Sequence, residues 1–352
     1  MRKTNLIIFF IAVIVFAGTF LISLVSFPHY GGPSVNKSRP QTDGISDVHS
    51  SFKIPKTGMH TFMGKSQVQI LKMFGKPERV DATKYGYHWF IYGRNSEKYI
   101  QIGLDDHSEK VVTIYVLGNK LKTMPFKIGS QSQQIYEQIP VSDELSIHEG
   151  KLSFDVELNE EDMMARPLIK FGNNVVQLNF DHVSDRLIGV RYLSPRILAM
   201  QRSYAMTYKG ALPELPSLTA KEHQSVDDAE DREIFDLTNM LRMRFGKRPL
   251  KGSAPVARAA YLHSREMKTK DYFSHDSKWS GDLRARLNKE DVSFRTAGEN
   301  IAARYPDAAA VTLGWLNSLE HRKNMLSGDF TELGVGTYRN YYTQDFIRPA
   351  DF

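Results

Sequence analysis

An uncharged apolar stretch at residues 6–27, preceded by Arg2 and Lys3, opens the chain and is long enough to cross a bilayer as one helix. The basic flank favours a cytoplasmic N-terminus and places everything after Pro28 outside. The alternative is a cleaved signal peptide, whose apolar region is shorter and ends in small residues. Here the run closes with Ser23-Leu24-Val25-Ser26-Phe27, a poor cleavage site. Residues 1–27 therefore read as a retained single-pass signal-anchor at the cell membrane; cleavage would give a secreted form instead. Residues 28–58 are rich in Gly, Pro, Ser and Asn and predict a linker.

From 59 to 205 the pattern turns to alternation, and it does so twice. Tyr99-Ile100-Gln101-Ile102-Gly103-Leu104-Asp105 is echoed by Val175-Val176-Gln177-Leu178-Asn179-Phe180-Asp181. Each copy continues through an Asp/Ser-rich turn into a second alternating run, 111–116 and 187–192, so each predicts a β-hairpin. A helix candidate precedes each hairpin: 66–74, stopped by Gly75-Lys76-Pro77, and 130–138, stopped near Pro140. The spacing predicts a duplicated helix-plus-hairpin unit in an α+β domain. Gly58 to Ser66 resembles a phosphate-binding loop, but it is one residue too long and no strand precedes it. Gly64 and Ser66 are better read as a helix start.

Residues 206–229, with Gly210, Pro213 and Pro216, predict a second linker. Asp227, Asp228, Glu230, Asp231 and Glu233 then crowd the expected start of a helix over 234–245, where negative charge complements the helix dipole. Gly246 and Pro249 end that helix. Val256, Ala259, Ala260, His263 and Met267 recur at helical spacing, and 308–316 and 320–326 give two further helices. Residues 332–338 and 341–347 alternate about Arg339-Asn340 as an antiparallel pair.

Composition sharpens the setting. With 352 residues, 41% of them hydrophobic, the chain has material for two cores. It contains no cysteine, so neither disulfides nor thiolate zinc sites contribute. The net charge of +6 fits attraction to anionic lipid or cell-wall polymer. No basic run with interleaved aromatics points to nucleic acid.

The candidate chemistry lies in the last third: Asp271-Tyr272-Phe273-Ser274-His275, Gly298-Glu299-Asn300-Ile301 and Trp315-Leu316-Asn317-Ser318-Leu319-Glu320-His321-Arg322. Two imidazoles and a carboxylate on three segments suit a metal site, a proton relay or a hydrogen-bonded polar core. In this order the signatures resemble the CAP superfamily (cysteine-rich secretory proteins, antigen 5, pathogenesis-related 1) in its bacterial SCP-like form. Leu237-Thr238-Asn239, Gly334-Val335-Gly336 and Tyr342-Thr343-Gln344 extend the resemblance across 232–348. It implies an α-β-α sandwich for 230–352. Residues 59–205 resemble the CAP-associated N-terminal domain of some bacterial members. The family's cavity tetrad falls on His275, Glu299, Ser318 and His321. The chain departs from the bacterial Ser-Pro-Gly-His-Arg pattern, having Ser318-Leu319-Glu320-His321-Arg322, and Glu320 is not the tetrad glutamate.

Three readings compete. In the first, the tetrad binds Zn²⁺ or another divalent cation and leaves a position for water or ligand. Glu299 beside both rings would then raise their pKa values. In the second, Ser318, His321 and Glu299 form a hydrolytic triad, although no G-x-S-x-G elbow accompanies them. In the third, the cavity is structural and the protein is a non-enzymatic envelope module for a lipid, glycan or protein ligand. The first and third are compatible and form the preferred reading. Ser318 also stands where it would cap a helix, Asn300 is expected to brace a loop, and His263 belongs to the core or supports the site from behind.

Overall fold

The computed structural model describes residues 53–139 and 141–350. The apolar run 6–27 lies outside the described residues, among which no helix is long and apolar enough to cross a membrane. Pro140 also lies outside them.

After a 3-10 turn at Met59–Phe62, the N-terminal half runs through α1 (Gln67–Phe74), β1 (Arg79–Ala82), β2 (Tyr87–Tyr92), β3 (Ile100–Asp105) and β4 (Val111–Val116). It continues through α2 (Ser132–Tyr136), β5 (Glu144–Glu149), β6 (Leu152–Glu157), α3 (Glu160–Ala165) and β7 (Leu168–Phe171). β8 (Asn174–Asp181), β9 (Arg186–Leu193), α4 (Pro195–Gln201) and β10 (Ala205–Lys209) complete it. Ser66 starts α1 through a reciprocal capping box: its Oγ accepts from the Gln69 N–H at 3.4 Å, and Gln69 Oε1 accepts from the Ser66 N–H at 3.0 Å. The phosphate-loop lookalike is therefore a helix start.

Both expected hairpins form, and the duplication extends to their irregularities. β3–β4 and β8–β9 shift register at matching points, Gly103/Leu104 and Asn179/Phe180. A single bridge ties the start of each unit's helix to its hairpin, Ser66 to Lys110 and Gln131 to Arg186. β4 pairs with β9, so the two units share one seven-stranded sheet of order β1-β2-β3-β4-β9-β8-β7. Alternation divides its faces. Ile102, Ile114 and Val190 bury against Ile70 of α1 and Ile135 of α2, while Trp89, Tyr115 and Ile188 point to the other face. The small sheet β10-β6-β5 was not anticipated from the sequence.

The C-terminal half comprises α5 (Ala220–Arg244), β11 (Lys251–Gly252), α6 (Ala254–Thr269), α7 (Leu283–Lys289) and β12 (Phe294–Ala303). Next come α8 (Ala308–Asn317), α9 (Leu319–Leu326), β13 (Glu332–Tyr338) and β14 (Tyr341–Pro349). Its sheet runs β11-β13-β14-β12. Leu333, Val335, Tyr342 and Phe346 face the core shared with α5, α8 and α9. On the opposite face, a Cβ at Gly334 would lie 2.2 Å from the Ala257 N, and one at Gly336 would lie 2.0 Å from the Tyr261 N. Both positions must be glycine for α6 to lie against β13. Helices on both faces of one sheet make the α-β-α sandwich. Arg339 and Asn340, at φ 50° and 65°, supply the left-handed pair of a tight hairpin turn.

Two expectations need correction. The segment 206–229 is not a continuous linker: β10 reaches Lys209, and α5 starts at Ala220 with Thr219 and Glu222 as its capping box. The acidic residues 227–233 therefore lie inside a long helix rather than at its start, with Asp227, Glu230 and Glu233 buried. They are held within a boundary that both halves share. Arg79 and Arg94 reach Asp236 at 2.8 and 3.0 Å, Arg232 reaches Asp81 at 2.9 Å, and Arg191 reaches Asp307 at 2.6 Å. The core beneath joins Trp89 and Tyr115 to Leu237, Trp315 and Phe346, so the two halves pack as one body.

Candidate functional site

β12 carries Glu299 into the sandwich, where the sequence had placed a loop. Its Gly298-Glu299-Asn300 stretch pairs with Asp345, Gln344 and Phe346 of β14, which satisfies its backbone. Glu299 is buried, and both of its oxygens are engaged. His275 Nδ1 lies 2.8 Å from Oε1, and Arg286 Nη2 donates to Oε2 at 2.6 Å. Burial raises the Glu299 carboxyl, but the His275 hydrogen bond and the Arg286 charge outweigh it and hold the group below its ordinary value.

The loop bearing His275 is fastened from below. Glu266 of α6 accepts from the Tyr272 hydroxyl at 2.5 Å, the Ser280 hydroxyl at 3.2 Å and the Ser277 hydroxyl. Arg286 donates to the carbonyls of His275 and Gly281, each at 2.8 Å. The His275 side chain remains 57% exposed, so Nε2 belongs to the solvent side of a ring anchored through Nδ1.

His321 sits in α9. Its Nδ1 is 2.7 Å from the Ser318 Oγ. Ser318 stands at the N-cap position but makes no capping hydrogen bond; its hydroxyl goes to the imidazole instead. Burial, and then the charge on nearby His275, pushes His321 down to about 4. The expected upward shift from Glu299 is absent there because that carboxylate faces His275 and Arg286. Asn300 does not brace a loop. From β12 it donates to the His321 carbonyl at 3.1 Å, and Asn324 donates to the Glu299 carbonyl at 3.1 Å. Strand and helix are thereby laced together.

The tetrad thus assembles as two pairs, His275–Glu299 and Ser318–His321. Among the described residues no group of three or more His, Asp or Glu side chains is arranged to hold a metal ion. Nor is a Ser-His-Glu relay joined, because Glu299 bonds His275 and Arg286 rather than His321. His263 is fully buried on α6 as expected, with neither ring nitrogen hydrogen-bonded. Burial pushes it down to about 4, so its Nε2, 3.8 Å from Glu299, forms no ion pair at neutral pH.

The sequence reading missed two residues. Arg286 lies on α7 beside Leu283 and Leu287 and reads as an ordinary surface position. Asp345 stands opposite Glu299 in register, fully buried with no donor to either oxygen. Burial and the Glu299 charge push its carboxyl well above the ordinary range. A lone acid on the inward face of a predicted strand was the available signal.

Comparison with known proteins agrees with this layout. Residues 63–204 match the CAP-associated N-terminal domain family, and 235–347 match the cysteine-rich secretory protein family. The uncharacterized membrane protein YlbC of Bacillus subtilis (strain 168) is 35% identical over 348 residues, covering 98% of this chain and 99% of its own. The crystal structure of an extracellular protein containing an SCP domain from Bacillus anthracis (str. Ames) is 37% identical. It superposes with a TM-score of 0.79 over 89% of this chain and all of that one. A cysteine-rich secretory protein of Staphylococcus aureus subsp. aureus Mu50 (SAV1118) is 26% identical, with a TM-score of 0.75 over 84% of this chain and 94% of that one.

Proposed function

Since the chain belongs to the cysteine-rich secretory protein (CAP) family and carries the CAP-associated N-terminal domain, we propose that it is an outward-facing envelope module, anchored by residues 6–27, that presents His275 and His321 to a divalent cation. The observation that carries this reading is the matched anchoring of the two rings: each Nδ1 is held, by Glu299 Oε1 at 2.8 Å and by Ser318 Oγ at 2.7 Å. A histidine fixed through one nitrogen offers the other as a ligand atom, and a carboxylate behind it makes that atom more basic. In this reading His275 and His321 would be the ligands, Glu299 and Ser318 would orient them, and the remaining positions would fall to water or an exogenous group. Zinc would supply Lewis acidity there.

Two features weigh against the hydrolase. Glu299 is bound to Arg286 and His275 rather than to His321, and Ser318 lies in no nucleophile elbow. The reading is tested by titrating Zn²⁺ into the full chain beside Glu299→Gln and Ser318→Ala. Both variants should bind roughly ten- to a hundredfold more weakly, the range for lost supporting contacts. Unchanged affinity in both would show that the anchoring plays no part. Ester hydrolysis lost in Ser318→Ala would favour the triad.

A further inference from the structure

Where the two halves meet, away from the histidine pair, a cavity of about 400 Å³ opens between the end of α4, the segment after β10 and the turn between β12 and α8. Its volume lies within the roughly 300–1,000 Å³ usual for small-molecule sites. Arg202 reaches it from the N-terminal half and Arg304 from the C-terminal half, and Met200 and Leu215 give it apolar wall. Lys84 lines it too, but its ammonium is occupied by Asn340 at 2.7 Å and Glu230 at 3.5 Å. Glu214 is the single acid in its lining.

The two arginines differ from the others along this boundary. Arg79, Arg94, Arg191 and Arg322 each hold an aspartate at 3.0 Å or less. Arg202 and Arg304 form no ion pair or side-chain hydrogen bond among the described residues. Both also adopt left-handed backbone conformations, φ 47° and 68°, which an arginine enters only at some cost. Both residues are exposed, and two like charges in the lining of one cavity repel unless an anion lies between them. The guanidinium fork matches phosphate and carboxylate oxygens in pairs.

We propose that this cleft binds a small organic oxyanion, with its phosphate or carboxylate between Arg202 and Arg304 and its carbon skeleton against Met200 and Leu215. Because each half contributes one arginine, the ligand would bridge them. The test is calorimetric titration of the full chain in non-ionic detergent with glucose 1-phosphate, glucuronate and uncharged glucose. At least one anion should bind and glucose should not; the anion that binds identifies the phosphate or the carboxylate as the recognised group. Arg202→Ala/Arg304→Ala should weaken that binding at least about tenfold, and Glu214→Gln should tighten it roughly two- to threefold. The second variant decides the matter should the first fail to fold. The proposal is overturned if neither anion binds up to about 10 mM, if glucose binds as well as they do, or if a folded double variant or Glu214→Gln leaves the affinity unchanged.

Discussion

The two hairpin units end the same strand on the same residue, yet among the described residues only the second turn's aspartate grips the C-terminal half. Asp105 accepts from the Ser108 hydroxyl and N–H at 2.8 Å and from the His107 N–H at 3.2 Å, and its work ends inside its own turn. Asp181 makes the corresponding turn contacts with Val183 and Ser184. It also takes Arg322 as a two-pronged pair, at 2.8 and 2.9 Å. On either side, the His182 N–H donates to Asn317 Oδ1 at 3.1 Å, and Asn317 Nδ2 donates to the Phe180 carbonyl at 2.9 Å. Asn317 and Arg322 bracket Ser318 and His321. Duplication supplied two equivalent turns: one stayed local, and the other became the seat for the α8–α9 junction that carries half of the candidate site.

The comparison breaks most sharply on Asp181→Ala. Removing the buried aspartate of this two-pronged ion pair should cost about 3 kcal/mol, because the partly buried Arg322 is left without its counter-charge. Asp105→Ala gives up hydrogen bonds at a half-buried turn and should cost about 1 kcal/mol. Urea unfolding of the two variants side by side measures the difference; equal losses would mean that the second turn holds nothing the first does not.

A second test uses the proton. Burial first, then the charges of Asp307 and Asp227, pushes Glu230 up to about 7 despite Lys84 beside it. Burial likewise pushes Asp227 up to about 6 against Arg339 and Lys84. In the unfolded chain both ionise near their ordinary values of 4.5 and 3.8. The fold therefore binds protons that the unfolded chain has released, and these groups stabilise it fully only below about pH 4. That contribution, on the order of 3 kcal/mol for each group, is lost as pH rises through 6 and 7. Urea midpoints should fall between pH 6.5 and pH 8, above the range in which His263 and His321, both pushed down to about 4, act in the opposite sense, and Glu230→Gln should flatten the decline. A midpoint that rises over that interval in the wild type would contradict it.

A smaller effect sharpens the same contrast. Arg322→Lys keeps the charge but loses the fork toward Asp181, and it should cost about 1–2 kcal/mol. Arg196→Lys, whose charge acts on Asp105 and which makes no side-chain hydrogen bond among the described residues, should leave the unfolding free energy within about 0.5 kcal/mol of wild type. Limited proteolysis adds a further check. Cleavage within 210–219 should leave both pieces eluting together, because the core is continuous across the boundary. Separation of the pieces without denaturant would show that the halves are independent.

Legibility in the sequence followed apolar periodicity. Both hairpins, α6, α8 and β13 were readable because their buried faces are built from Ile, Val, Leu, Ala and aromatic side chains. The first half of α5 was hidden because its buried positions include Asp227, Glu230 and Glu233, whose burial depends on partners far along the chain. β12 was hidden because Gly298, Glu299 and Asn300 carry no strand signal, although neighbouring strands and helices satisfy them. His275, Glu299, Ser318 and His321 were legible as candidates through their local motifs. Their division into two pairs was not readable, since it depends on Arg286, which competes for Glu299 from an unremarkable helix.

The most direct measurement is calorimetric titration of Zn²⁺ into the full chain at pH 7, wild type beside His275→Ala/His321→Ala. The arrangement predicts one site in the wild type and none in the double variant, with both proteins unfolding at closely similar urea concentrations. Equal binding by the two proteins, or no binding by the wild type, would contradict it.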